Sequence, residues 1–324
     1  MKKITATILT MALLLCLLAG CGSASKSTAD IRIASLKGPT SIGLLKLKDD
    51  AANEKAANNY TFEMAVTADE ILPKIISGEV DIALIPANVA AILYNKTEKG
   101  VEVLDINTLG VLYAVSGDDT IDTIASLKGK TVYITNKGTT PDLVTQFLLK
   151  ANNVAIEDVN VEYKSEAAEV AALLAEDPNA VGILPQPFVT SCCIQNENLK
   201  PVLNLTQEWS KCSPDGSALL TGVTVASKNF INSNKQAVDA FLDEHKASSE
   251  FVNSNVETAA QWVVNEDIIP KAPIAVKAIP ACNITYMDGD EMKTALSGYL
   301  NILYELDPSV VGGKLPEDDF YYKK

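Results

Sequence analysis

Two hydroxyl-rich loops are the first residues in this chain that could do chemistry. Residues 31–40 read Ile-Arg-Ile-Ala-Ser-Leu-Lys-Gly-Pro-Thr, and residues 131–140 read Thr-Val-Tyr-Ile-Thr-Asn-Lys-Gly-Thr-Thr. Each is a β-rich run, then Ser/Thr-x-Lys-Gly-x-Thr, then a helical pattern, at an offset of 100 residues. A glycine lets the backbone approach a ligand without a Cβ. Pro39 and Pro141 suit the first turn of a helix. Thr40, Ser41, Thr139 and Thr140 would set hydroxyls beside the free N–H groups of a helix start, a seat for an anion. Helix capping accounts for either loop alone. Recurrence makes Lys37, Gly38, Pro39, Thr40, Ser41, Gly138, Thr139 and Thr140 candidate ligand contacts. Asp142 already offsets part of the dipole behind the second loop. A second echo, at an offset of 99, compares Asp81-Ile82-Ala83-Leu84-Ile85-Pro86-Ala87-Asn88-Val89 with Ala180-Val181-Gly182-Ile183-Leu184-Pro185-Gln186-Pro187-Phe188. It adds two amides, Asn88 and Gln186, each able to donate to or accept from a ligand.

What the chain lacks is equally informative. It has one Arg (Arg32) and one His (His245) in 324 residues. A His-rich metal site, a catalytic His–Asp pair and an Arg cluster for phosphates each need residues it is short of. His245 falls on the apolar face of its helix, with Val238, Phe241 and Leu242, and reads as a packed histidine. No GxSxG, GxGxxG, Walker A, HExxH or EF-hand pattern occurs. No catalytic residue, metal or cofactor is expected, and the chain reads as a binder rather than an enzyme. Trp209 reads as lobe packing, with stacking on a heterocycle at a cleft rim as the alternative. The 27 basic and 41 acidic residues give a net charge of −14, which argues against nucleic acid.

The first residues read as an address. Lys2 and Lys3 precede an apolar run from Ile4 to Ala19, too short for a comfortable membrane span. The run ends in Leu18-Ala19-Gly20-Cys21, which resembles the bacterial lipobox. Residues 1–20 are expected to be a cleaved signal peptide, Cys21 the lipidated residue and 21–29 a flexible tether. Cys192, Cys193, Cys212 and Cys282 remain in the body. A bridge from 192 or 193 to 212 is open to them, with buried or idle thiols the expected state.

The elements that would position these residues repeat as well. Strands are expected near 31–35, 60–66 and 80–85, with helices near 40–57, 68–77 and 87–95. The second half repeats the order, with strands near 131–135, 159–163 and 180–184 and helices near 141–152, 165–175 and 187–195. Alternating short strands and helices imply parallel pairing through right-handed crossovers, and a repeat at this period implies two lobes of one plan. Length also favours two domains. Leu109–Val115 and Leu219–Val225 are β-like runs between the halves. Lobe I is therefore expected over 30–113 plus 223–324, completed by a mainly helical tail, and lobe II over 114–222. The fold class is α/β: each lobe a mixed, mostly parallel sheet flanked by helices, the two joined by crossover strands. Ligands in such sheets sit beyond the carboxyl ends of strands, where both loops lie.

From the lipobox through Leu36-Lys37-Gly38-Pro39-Thr40 and Ile85-Pro86-Ala87-Asn88 to Leu184-Pro185-Gln186-Pro187-Phe188, the chain resembles the bacterial ABC-transporter solute-binding lipoproteins of the nitrate/sulfonate/taurine and thiamine-precursor group. The resemblance implies a two-lobe periplasmic-binding-protein-like fold that closes on a small, anionic or heterocyclic molecule. It implies delivery to an ABC permease from a lipid-anchored, extracytoplasmic monomer. A surface lipoprotein that senses its ligand without a permease, or an enzyme on the same fold, are the alternatives. Members for sulfonates often use an Arg; Arg32 lies inside the first strand and is not assigned that role.

Overall fold

A computed structural model describes residues 29–214 and 216–324. The signal peptide, Cys21 and the tether through residue 28 lie outside the described residues. The first half runs β1 (Asp30–Leu36), α1 (Pro39–Ile42), α2 (Leu45–Ala52), β2 (Asn59–Ala65), α3 (Ala68–Ser77), β3 (Ile82–Pro86), α4 (Ala87–Lys96) and β4 (Val101–Leu109). The second runs β5 (Leu112–Ser116), β6 (Thr131–Thr135), α5 (Thr140–Ala151), β7 (Asn160–Lys164), α6 (Ala167–Glu176), β8 (Val181–Pro185), α7 (Phe188–Gln195), β9 (Lys200–Asn204) and α8 (Leu205–Cys212). The chain then returns through β10 (Leu220–Ser227), α9 (Lys228–Ser233), α10 (Lys235–Ser254), α11 (Val256–Asn265), α12 (Ala272–Ala278), β11 (Ile284–Met287) and α13 (Gly289–Leu306).

The strands form a six-stranded sheet, ordered β11-β4-β10-β3-β1-β2, and a five-stranded sheet, ordered β7-β6-β8-β5-β9. The repeat is visible in both. β2-β1-β3 and β7-β6-β8 are parallel triplets. β10 continues the first triplet antiparallel at β3, and β5 continues the second antiparallel at β8. The strands in the middle of the sheets are near-continuous apolar runs because helices cover both faces; Ile82, Ala83, Leu84 and Ile85 are all buried. α3 begins in a capping box, with the Thr67 backbone N–H donating to Glu70 at 2.9 Å.

The helix expected over 40–57 is instead two short helices broken at Gly43 and Leu44. The break brings the backbone hard against α10. A Cβ on Gly43 would stand 2.9 Å from the Ser249 hydroxyl and 3.3 Å from Ile284 Cγ2, so any larger residue would crowd this approach. The tail is mainly helical as expected. A single apolar cluster spans both sheets, from Ile85 and Val103 to Ile134 and Ile183. Trp209 joins them, fully buried between Phe147 (ring centroids 4.5 Å apart) and Tyr299 (5.6 Å). It is lobe packing rather than a cleft rim. Among the described residues no helix is long and apolar enough to cross a membrane.

Candidate functional site

β1 and β8 end at Leu36 and Pro185, and the loops that leave them face one cavity of about 930 Å³. The first lobe contributes Lys37, Gly38 and Pro39, with Thr221 at the head of β10 and Ile268 and Pro270 across the opening. The second contributes Pro185, Gln186, Pro187 and Phe188, together with facing sides of α6 and α7. A smaller cavity of about 190 Å³ adjoins it, sharing Val111 and Thr221 and reaching Pro86, Thr140 and Pro141.

Four of the expected contacts therefore meet at the large cavity: Lys37, Gly38, Pro39 and Gln186. Gly38 holds φ 152° and ψ −160°, a region essentially reserved for glycine, and a Cβ there would meet open space. Lys37 is exposed and its ammonium forms no ion pair among the described residues, while its backbone N–H is tied to the Ala65 carbonyl at 2.9 Å. The neighbouring hydroxyls have a different task. Thr40 donates to the Leu36 carbonyl at 3.1 Å, and Ser41 donates to the same carbonyl while reaching Ser35 at 2.8 Å. Both are buried. They fasten the loop that carries Lys37 and Gly38 rather than lining the cavity.

Gln186 is 4% exposed. Its Oε1 accepts from the Thr190 hydroxyl at 2.8 Å and from the Thr190 backbone N–H at 3.4 Å. An N–H can only donate, so Oε1 is fixed on that side and the amide nitrogen on the other. The amide nitrogen has no hydrogen-bond partner among the described residues, and Gln186 lines the large cavity.

The second loop is engaged internally. The Gly138 N–H donates to Asp142 Oδ2 at 2.8 Å, and Asp142 Oδ1 accepts from the Tyr163 phenol at 3.0 Å. Burial, aided by Asp142, pushes that phenol up to about 12. Thr139 donates to the Asn136 carbonyl at 2.6 Å. Thr140 reaches the smaller cavity beside the buried Tyr299 phenol, which burial holds above its ordinary range. Gly138 and Thr139 line neither cavity, and neither does Asn88, whose amide donates to the Val310 carbonyl at 3.2 Å. Arg32 is engaged as well, its guanidinium holding Asp81 with both Nε (2.9 Å) and Nη2 (2.6 Å).

Sequence reasoning missed three features. The single histidine has a carboxylate partner: His245 Nδ1 lies 3.2 Å from Asp105 Oδ2, and Asp105 Oδ1 accepts from Thr224 at 2.9 Å. Asp105, a carboxylate in the middle of the strand Val101–Leu109, was the available signal. Both side chains are fully buried, so the pair has no route to a solute in the cavity. Thr221, Ser191 and Cys192 line the large cavity, and so do four alanines of α6. Those alanines, at i, i+3, i+4 and i+7, were legible as one helix face. The cysteines at 192, 193, 212 and 282 are all free thiols. Burial pushes Cys193 up to about 11 and Cys282 up to about 12. Among the described residues no three His, Cys, Asp or Glu side chains converge as a metal site.

No protein-family model matches the chain, and no curated protein does. Solved structures do. An ABC transporter protein from Parabacteroides distasonis superposes with a TM-score of 0.77 at 24% identity, covering 91% of this chain and 99% of that one. The chain has the periplasmic-binding-protein-like fold. The periplasmic aliphatic sulphonate-binding protein SsuA from Escherichia coli matches at 0.70 and 13% identity, over 90% of this chain and 95% of that one. A ligand-binding component of an ABC-type import system from Staphylococcus aureus, solved with zinc bound, matches at 0.63 and 16% identity, over 91% and 97%. In this periplasmic-binding-protein-like fold the large cavity lies between the two sheets' lobes, at the strand ends where such sheets receive ligands.

Proposed function

We propose that this protein is an extracytoplasmic solute-binding lipoprotein: anchored through Cys21, it captures a small anionic or heterocyclic molecule between its lobes and hands it to an ABC permease. The observation that carries the reading is the interlobe cavity of about 930 Å³ lined by Lys37, whose ammonium forms no ion pair among the described residues, and by the buried Gln186, whose amide nitrogen has no hydrogen-bond partner among them. A cavity of that size suits an organic solute. Donors without protein acceptors suit one with an anionic or carbonyl oxygen. The matching structures named as ABC transport components support the hand-over to a permease, and the lipobox supports the anchor. The buried His245–Asp105 pair supplies no exposed general base, which favours a binder over an enzyme.

Native mass spectrometry of the protein as purified tests the reading. A retained small molecule, recovered unchanged after prolonged incubation, is the expected result. A protein that retains nothing and gains no thermal stability from any fraction of a cell extract would sink it, and a solute recovered chemically altered would replace it with an enzyme.

A further inference from the structure

We infer that two buried phenols, Tyr113 and Tyr299, are clasps across the junction between the two halves of the molecule: positioning residues that set how often the large cavity stands open before any solute arrives. They reach in opposite directions. Tyr113 belongs to β5 of the five-stranded sheet, and its hydroxyl donates at 3.2 Å to the Ala281 carbonyl, just ahead of β11 of the six-stranded sheet. Ala281 packs there against an apolar cluster otherwise drawn from the second half, Tyr113, Leu184 and Val189 among it. Tyr299 belongs to α13, which packs on β4 of the six-stranded sheet, and its hydroxyl is hydrogen-bonded to Thr140 at the head of α5, in the other half. The chain crosses beside both. Gly110 lines the smaller cavity with Thr140 and stands three residues from Tyr113, and its carbonyl accepts from Thr206 of α8 at 2.9 Å and from Asn283, ahead of β11, at 2.5 Å.

Packing alone does not select tyrosine at either place. Both rings are buried, the Tyr299 ring beside Trp209, and phenylalanine would fill the same space. A buried hydroxyl stabilises only through its hydrogen bond, and each of these hydroxyls has its partner on the far side of the junction. Burial raises both phenols above their ordinary range, so both keep their protons at neutral pH. A rotation at Gly110–Val111 that widens the large cavity carries Ala281 away from Tyr113 or Thr140 away from Tyr299, and a hydrogen bond stretched past about 3.5 Å is lost. The hydroxyls therefore favour the closed arrangement and contribute nothing to an open one. Cys192 reports the difference, because its thiol is free, largely buried and part of the cavity wall.

The test reads opening without a solute. The solute-free protein is alkylated with iodoacetamide, and the modification of Cys192 is followed by tandem mass spectrometry, with hydrogen exchange of β3 measured alongside. The alkylation rate follows the fraction of molecules open at the cavity. Tyr113→Phe and Tyr299→Phe should each raise it about fivefold, and the double variant about 25-fold, the conversion of about 1 kcal/mol per hydrogen bond. Exchange in β3, a strand covered on both faces, should stay as in the unaltered protein. Tyr299→Phe decides the matter: Tyr113 shares an apolar cluster with Cys192 and Tyr299 does not, so Tyr299 acts on that thiol only through the arrangement of the halves. An unchanged Cys192 rate in Tyr299→Phe would overturn the inference. Exchange in β3 that rises in step with the alkylation would overturn it as well, since the phenols would then be holding the fold rather than the closed arrangement.

Discussion

Gln186→Glu separates the two tasks of one side chain. Oε1 caps α7 by accepting both Thr190 donors, and the amide nitrogen has no partner among the described residues. A carboxylate keeps the acceptors for Thr190 and gains about 0.3–1 kcal/mol beside a helix N-terminus, which offsets part of its desolvation. It loses the side chain's own donor and sets a negative charge where the solute's oxygen would lie. Removing one hydrogen bond to solute costs roughly 1–3 kcal/mol, so Kd should rise roughly 5- to 150-fold, with the melting temperature nearly unchanged. Gln186→Leu removes donor and cap together. It should show the same loss of affinity plus about 0.5–2 kcal/mol of stability, or a few degrees in melting temperature for a chain of this size. The assay is calorimetric titration with the solute recovered from the protein, paired with thermal unfolding of each variant. Wild-type affinity in Gln186→Glu would refute the assignment of Gln186 as a solute donor. An equal drop in melting temperature for both variants would refute its capping role.

Cys21→Ser should leave the protein unlipidated and released from membranes; a mutant that stays membrane-bound at wild-type mass would end the lipoprotein reading. Arg32→Met should leave solute affinity within twofold and lower the melting temperature, because Arg32 is the cation holding the largely buried Asp81; lost binding would show that the guanidinium reaches the solute. Small-angle scattering should show compaction when solute binds, with the chain bending where it crosses between sheets at Gly110–Val111; an unchanged radius of gyration with binding confirmed separately would exclude closure. Lys130 and the Thr120 hydrogen bonds hold the Asp118 carboxyl well below its usual range, and Lys323 and Lys293 do the same for Asp290 and Asp318. Folded values below unfolded ones mean stability that is complete above about pH 4 and lost as pH falls through the folded values. Thermal unfolding should be flat from pH 5 to pH 8 and fall below about pH 4, less steeply in high salt because Asp290 and Asp318 are exposed.

The repeated βα units were legible because they lie where local pattern and tertiary burial agree. The run over 82–85 is apolar throughout since β3 is covered on both faces, and Pro86 and Pro185 mark where strands yield to helices. Of the four edge strands, β2 and β7 were legible and the other two were not. β9, Lys-Pro-Val-Leu-Asn, and β11 each pair on one side only, so neither needs the apolar run that betrays a central strand. The break at Gly43 was hidden for another reason. It depends on Ser249, 206 residues away, and nothing local distinguishes a glycine that tolerates a helix from one that must leave it.

The site shows the same division between residue type and direction. Composition could identify Thr40 and Ser41 as donors, but only the fold shows that the Leu36 carbonyl lies nearer than any solute. The two amides are the sharper case. Asn88 and Gln186 follow corresponding prolines in corresponding units, and sequence weighs them alike. They part because the units have unlike surroundings. The C-terminal tail returns over the first lobe, and the carbonyl of Val310 takes the Asn88 amide. At the start of α7 the Gln186 oxygen is held by Thr190, and no tail carbonyl takes the amide nitrogen among the described residues. The returning chain that completes one lobe thus silences that lobe's amide, and it leaves the internal repeat with a single-sided donor.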